Sequence, residues 1–307
     1  MDWHTPILSD LAIFHQCALN NDFFANNYGA VNSILYERKF NSLIAIEGDW
    51  LFEKFFDNGK AFFSFPHNLH GSLKEINSAI ALLSESAKST GGELAFSNIT
   101  LEEKDILLEF FPSAKVVAMP ESADYIYRTE NLSTLAGKKL SRKRNHIHQF
   151  EKQYEDFTFE PLTAQNFLAV REVEEKWLKE NTSQAVEAGN FSDLEIEKEI
   201  IFYALDNFET FSKNCGMTGG LLFVSGIPVA FCIASLLSQK VTDIHFEKCL
   251  SPYARDGGYA VINNEFAKTV KTEFINREED LGIEGLRKAK LSYYPERVLE
   301  KFSLVLS

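Results

Sequence analysis

Polar and apolar residues alternate strictly over Val241–Cys249: Asp243, His245 and Glu247 fall on one parity, Ile244 and Phe246 on the other. Such a period-two pattern predicts a strand with one polar face. Upstream, residues 218–224 and 229–237 are apolar runs separated by Ser225-Gly226-Ile227-Pro228, which predicts a hairpin. Downstream, Gly257-Gly258 opens a helix reaching about residue 271, and Phe274-Ile275 predicts a short strand. A polar turn, a short cationic helix halted by Pro295 and a closing strand over residues 297–306 complete the pattern.

The first half has a similar rhythm. Residues 11–24 have helical spacing, ended by Asn26-Asn27-Tyr28-Gly29. Residues 42–47, 50–52 and 61–65 read as an antiparallel meander with turns at Gly48-Asp49 and Asp57-Asn58-Gly59. A helix over 73–88, a break at Gly91-Gly92, a strand over 93–97, a helix over 101–110 and strands over 115–119 and 125–127 follow. Residues 131–154 predict one mainly helical stretch, and helices are expected at 164–180 and 194–208. This order predicts an α/β protein with mixed sheets in two lobes, residues 1–155 and 156–307, the first ending in a basic helix.

With 307 residues, 45% of them hydrophobic, the chain has material for a sizeable core. The most apolar stretch, residues 221–237, is broken by turn chemistry, so no membrane span is expected. The opening MDWHTPILSD lacks a basic, then apolar, leader, which reads as a cytoplasmic protein. Cys17, Cys215, Cys232 and Cys249 form no C-x-x-C pair, which fits a reducing compartment and argues against a structural zinc site; no metal ligands are assigned. A net charge of −13 disfavours polyanions except at a local basic patch. Lys138, Lys139, Arg142, Lys143 and Arg144 form one, although a charge run is more often a solvated helix face than a binding site.

Residues 274–295 are the other concentration of charge. Arg277, Arg287 and Lys290 are candidate anion contacts at a loop-to-helix junction, where unpaired N–H groups favour negative charge. The plainer alternatives are a solvated Glu284–Lys288 pair and an internal network of Glu278 and Asp280 with Arg277 and Arg287 that locks the lobes. Lys248 is expected to pair with a buried acid such as Glu278 or Asp280, and Tyr293 either donates to a bound carbonyl or caps the core. No G-x-S-x-G elbow is present, and Gly282-x-x-Gly285 is too little for a nucleotide loop.

The hairpin with its V-x-G-x-P-V-A-F turn, then a strand and a glycine turn opening a helix, resembles the GNAT acyltransferase fold. More specifically, His245-Phe246-Glu247-Lys248, the run from Ile275 to Lys290 and Ser292-Tyr293-Tyr294-Pro295 resemble the family related to the C-terminal domain of bacterial phosphatidylglycerol lysyltransferase. The resemblance implies two tandem GNAT-like lobes, similar to the Fem peptidyltransferases that use aminoacyl-tRNA, with the run from Lys138 to His148 on the donor side. It implies acyl or aminoacyl transfer to an amine, with a small-molecule, lipid or peptide acceptor.

Such transfer needs a positioned ester, a nucleophile relieved of its proton and donors for the developing oxyanion. Glu247 or His245 is the expected base, with Asp243 behind His245; the three also read as the wet face of an edge-like strand. Asp243, Lys248, Asn276, Arg277, Glu278, Asp280, Arg287, Lys290 and Tyr293 are the expected substrate-lining set. A rival donor is acetyl-coenzyme A, its pyrophosphate held by Arg255, Gly257, Gly258 and Tyr259, although Asp256 and the short arginine-to-glycine spacing depart from the usual signature. A second rival is a binding module that kept the fold without the reaction. The acceptor and the oligomeric state are not legible in the sequence.

Overall fold

The computed structural model describes residues 1–57, 59–89 and 93–306. The expected turn at Asp57-Asn58-Gly59 and the break at Gly91-Gly92 fall wholly or partly outside the described residues. Helices α1 (Leu11–Asn21), α2 (Ala30–Leu35) and α3 (Glu37–Phe40) lead into β1 (Leu43–Glu47), β2 (Trp50–Asp57), β3 (Lys60–Phe63) and β4 (His67–Asn68). Then come α4 (Ile76–Ser89), β5 (Ala95–Ile99), α5 (Leu101–Phe110), β6 (Lys115–Ala118) and β7 (Asp124–Arg128). Helices α6 (Thr129–Thr134) and α7 (Ser141–Gln153) precede β8 (Phe157–Pro161), α8 (Phe167–Ala188), α9 (Phe191–Asp206) and α10 (Phe208–Cys215). The chain closes with β9 (Thr218–Val224), β10 (Ile227–Leu236), β11 (Val241–Cys249), α11 (Gly258–Thr269), β12 (Phe274–Asn276), α12 (Glu284–Leu291), β13 (Arg297–Leu299) and β14 (Phe302–Val305).

These elements build two mixed sheets, the α/β class expected. One runs β1-β2-β3-β5-β14-β6, with β4 also on β2; the other runs β13-β7-β12-β11-β10-β9-β8. Each half follows one plan: an antiparallel meander, a crossover through a helix, and a strand that joins in parallel, β5 on β3 and β12 on β11. Each half then gives a strand away. Strand β7 from the first half lies antiparallel between β12 and β13, and β14 from the second lies antiparallel between β5 and β6.

That exchange corrects two expectations. The sheets are not divided at residues 155 and 156, since β7, α6 and α7 pack with the second sheet and β14 completes the first. The closing stretch is two strands in different sheets, because the chain must cross between lobes at Glu300-Lys301. The expected helix over 131–154 is also two helices. Leu135, with φ of 49°, ends α6, and α7 starts only at Ser141. Helix α10 lies beyond the expected end at residue 208, after a turn at Asn207.

The second sheet is buried on both faces, which accounts for the unbroken apolar runs of β9 and β10. Phe231, Ile233 and Phe246 pack on one face beneath α2, α8 and α9; Ala230, Cys232, Ala234 and Ile244 pack on the other against α6, α7 and α11. A third core fills the first sheet around Phe52, Phe63, Leu83 and Phe96. No helix among the described residues is long and apolar enough to cross a membrane.

Where the strands exchange lies a closed polar junction. Asp124, fully buried at the start of β7, accepts from Lys301 Nζ at 2.8 Å, Asn26 N at 2.9 Å and Asn276 Nδ2 at 3.1 Å. Lys301 Nζ also donates to Asn26 Oδ1 at 2.5 Å. Burial raises the Asp124 carboxyl and Lys301 counters it; around Lys301, burial opposes the charge, but Asp124, Glu279 and Glu278 hold the ammonium protonated. Lys301→Met leaves a buried carboxylate uncompensated and is expected to destabilise the fold by about 3–5 kcal/mol in urea unfolding. Lys301→Met with Asp124→Leu should recover much of that loss, and an unchanged midpoint in the single variant would remove the junction from the stability account.

Candidate functional site

The alternation along β11 is interrupted by a bulge. Ile233 of β10 stands opposite Phe246, and its neighbour Ala234 stands opposite Ile244, so His245 is the extra residue. A bulge re-aims side chains. Glu247 therefore shares a face with Cys232, and Asp243 with Ser235, on opposite sides of the sheet. This corrects the expectation that Asp243, His245 and Glu247 share one face, and also the edge-like reading, since Asp243 and His245 are buried.

On the α7 and α11 side, Glu247 Oε1 accepts from Arg277 Nη2 at 2.8 Å and Oε2 accepts from Asn263 Nδ2 of α11 at 3.1 Å. Both charged side chains are nearly enclosed, 10% exposed for Glu247 and 13% for Arg277. The Arg277 guanidinium lies 4.9 Å from the Tyr293 ring centre, and Lys143 Nζ of α7 lies 3.8 Å from the same ring. Arg277 Nη1 and Asn263 Oδ1 are buried with no hydrogen-bond partner. Burial, with Arg277 and Arg142 adding repulsion, lowers the Lys143 ammonium to about 8. The nest thus holds two cations, Arg277 and Lys143, against the one carboxylate of Glu247, and two polar atoms that still lack partners.

Tyr293 also borders an open groove, about 620 Å³ in volume, walled by Gly137, Lys138 and Lys139 opposite Leu291, Tyr294 and Pro295. Lys138, Lys139 and Arg142 are exposed, and Lys139 Nζ lies 5.5 Å from the Tyr294 ring centre. Arg144 is turned away: its Nη1 donates to the carbonyls of Leu135 and Gly137, tying down the loop before α7.

Several of the expected contact residues have partners within the chain. Arg287 clamps Asp280 through Nε at 2.7 Å and Nη2 at 2.9 Å, and Tyr125 OH completes that carboxylate at 2.6 Å. Lys290 Nζ donates to the carbonyls of Arg277, Glu278 and Glu279 and so shapes the loop. Asn276 binds Asp124 and the Phe24 carbonyl. Lys248 pairs with Glu197 at 2.6 Å and covers the Trp177 ring, not Glu278 or Asp280, because the bulge sends it toward α8 and α9. The solvated Glu284–Lys288 pair is present at 2.6 Å. Tyr293 is a buried ring set edge-on to Tyr127.

The glycine turn is closed by its own chain. Gly257 N–H bonds the Ala254 carbonyl and Gly258 N–H the Tyr253 carbonyl. A Cβ on Gly257, whose φ is 111°, would lie 2.5 Å from the His146 carbonyl of α7. These two positions therefore offer no free N–H cradle for a pyrophosphate. Arg255 is exposed, and Tyr259 is half-buried with its hydroxyl held above its ordinary range by burial. His245 is sealed in: Nε2 lies 2.7 Å from Ser235 Oγ and Nδ1 3.3 Å from Glu278 Oε1, with the side chain 1% exposed. Asn32, Asn263 and Ser235, absent from the sequence reading, are partners in these two groups; a small polar side chain in an apolar helix or strand carries no signal until the fold juxtaposes it.

Comparison with known proteins adds the following. A family model described as phosphatidylglycerol lysyltransferase, C-terminal, matches residues 39–305. The crystal structure of a conserved protein of unknown function from Bacteroides thetaiotaomicron superposes with a TM-score of 0.90 at 31% identity over 100% of both chains. The structure of L-PGS from Bacillus licheniformis superposes at 0.67 and 14% identity, covering 99% of this chain and 93% of that one. The C-terminal domain of a putative lysylphosphatidylglycerol synthetase from Agrobacterium fabrum superposes at 0.66 and 10% identity, covering 98% and 93%. At such identities the last two show likeness of fold. An uncharacterized protein of Mycoplasmoides gallisepticum is 24% identical over 181 residues, 59% of this chain, so the match spans about half of that relative, 55% of its length.

Lys143 gives a test of whether this nest is strained for a purpose other than stability. Its amine titrates at about 8 in the fold and at about 10.4 in an unfolded chain. Between those values the unfolded chain binds more protons, so native stability rises with pH there, and the full penalty stands below pH 8. Lys143→Met should stabilise the protein by about 1 kcal/mol at neutral pH, after solvent screening, with the gain shrinking toward pH 10. Thermal unfolding across that range reads it; destabilisation at neutral pH would mean that the lysine is a net structural contact.

Proposed function

Because the chain belongs to the phosphatidylglycerol lysyltransferase C-terminal family, we propose that it transfers an aminoacyl group from aminoacyl-tRNA to the amine of a small-molecule, lipid or peptide acceptor. The observation that carries this reading is continuity: Lys143 of the basic helix and Arg277 of the Glu247 pair touch the same Tyr293 ring. The basic helix and the enclosed carboxylate–guanidinium pair thus meet at one ring.

In this scheme Lys138, Lys139, Arg142 and Lys143 meet donor phosphates, while Tyr293 and Tyr294 line the groove beside them. The acceptor nitrogen attacks the ester carbonyl, the new C–N bond forms, and the C–O bond to the ribose breaks. Arg277 Nη1, buried and without a partner, is the donor for the developing oxyanion. Glu247 takes the proton from the attacking nitrogen and passes it to the departing ribose oxygen, while Asn263 and Arg277 hold it in place. His245, enclosed between Ser235 and Glu278, has no part in that transfer. The closed glycine turn favours tRNA over coenzyme A as donor.

The experiment is a single-turnover assay with charged tRNA and a panel of amine acceptors. Glu247→Gln should slow transfer by about 10²–10³-fold with donor affinity unchanged. Lys139→Glu with Arg142→Glu should weaken tRNA binding and lower its salt dependence by about one unit of slope per lost phosphate contact. Wild-type turnover in Glu247→Gln would remove the residue from the base role, and unaltered tRNA affinity in the charge-reversed protein would sink the donor assignment.

A further inference from the structure

The face of the second sheet opposite Glu247 carries a separate cluster that the transfer scheme leaves unused. Asp243 and His245 of β11, Glu278 of the loop after β12 and Asn32 of α2 converge there. His245 Nδ1 lies 3.3 Å from Glu278 Oε1 and 3.7 Å from Asp243 Oδ2. One ligand atom from each of Asp243, His245 and Glu278 falls within 4.8 Å of the others. Asn32 Nδ2 sits against the same two carboxylates, 3.0 Å from Glu278 Oε1 and 3.3 Å from Asp243 Oδ2, and 3.0 Å from the Asn26 carbonyl.

As hydrogen bonds alone, this arrangement does not close. Asn32 Nδ2 has two hydrogens for three acceptors, while Asn32 Oδ1 and Asp243 Oδ1 are buried with no partner. A neutral His245 has a single N–H to set between two carboxylates. Asp124 and Glu279 bring further negative charge near Asp243, against Lys301. Two enclosed carboxylates are therefore short of positive charge.

The geometry points to a divalent transition-metal site, of the zinc or manganese class, ligated by Asp243, His245 through Nδ1, Glu278 and, once its amide is turned over, Asn32 through Oδ1. Tetrahedral ligands about 2.1 Å from zinc stand about 3.4 Å apart, close to the 3.3 Å and 3.7 Å that separate His245 Nδ1 from Glu278 Oε1 and Asp243 Oδ2. Ser235 Oγ, 2.7 Å from His245 Nε2, holds the ring so that Nδ1 faces the cluster. Turning the Asn32 amide exchanges nitrogen for oxygen in the same volume and gives its unpartnered oxygen a role, at the cost of the bond to the Asn26 carbonyl. With four protein ligands the ion is structural, fastening α2 to β11 and to the loop that carries Arg277. This site is independent of the donor assignment.

The test uses the full chain, stripped with a chelator and titrated with Co²⁺ followed by visible absorption, then with Zn²⁺ by calorimetry and thermal unfolding. One equivalent should bind saturably, and excess zinc should raise the thermal midpoint. Asp243→Asn and Glu278→Gln should each weaken binding about 10–100-fold. Should those variants fail to fold, Asn32→Asp still decides the matter, since an added carboxylate oxygen at the fourth position should tighten binding about tenfold. Failure of the folded wild type to bind either ion saturably overturns the site, as does Asn32→Asp binding no tighter than wild type. A midpoint that rises on acidification and ignores both metals would mean that shared protons hold the cluster, which also overturns it.

Discussion

The Asp124–Lys301 pair stands where each half of the chain hands a strand to the other. A strand that leaves its own lobe must cross polar backbone between two apolar cores, and the crossing is stable only if the buried polar groups there find partners. Asp124 opens the strand given to the second sheet, Lys301 precedes the strand given to the first, and Asn26 and Asn276 fill the remaining bonds. The pair therefore ties the two exchanged strands to each other. It also fixes the start of the loop that presents Arg277 and Glu278, because Asn276 is one of its members.

From that anchor, one added residue in β11 organises the chemistry. Without the bulge at His245, three polar side chains would crowd one face; with it, Glu247 turns to α7 and α11 while Asp243 and His245 turn to α2. The next loop divides in the same way, Arg277 to one side and Glu278 to the other. Each polar group is then small enough to be nearly satisfied within an apolar protein. The atoms left unsatisfied, Arg277 Nη1 and Asn263 Oδ1 on one side and Asp243 Oδ1 and Asn32 Oδ1 on the other, mark where a ligand has something to gain.

Much of this was legible in the sequence and some could not be. Period-two and apolar runs located the meanders and β9 to β11, and the charged segment after Phe274 was recognisable as the busiest part of the chain. What periodicity does not carry is partnership. Residues 297–306 read as one strand, since nothing local tells that Lys301 belongs to Asp124, 177 residues away. Arg287, Lys290 and Arg144 read as anion contacts, yet the fold spends them on Asp280 and on backbone carbonyls. A bulge has no composition signature, so the alternation of β11 grouped Glu247 on one face with Asp243 and His245, which the register shift separates. By contrast Lys138, Lys139, Arg142 and Lys143 were visible as a run; three of them remain exposed, and Lys143 lies over the Tyr293 ring.

The central claim is that this surface receives the phosphates of a charged tRNA and not a coenzyme. The most direct measurement is an equilibrium titration of the purified protein with aminoacylated tRNA, deacylated tRNA and acetyl-coenzyme A at two salt concentrations. The account predicts preference for the aminoacylated form, affinity that falls steeply with salt, and no saturable binding of acetyl-coenzyme A. Saturable acetyl-coenzyme A binding with indifference to tRNA would contradict it.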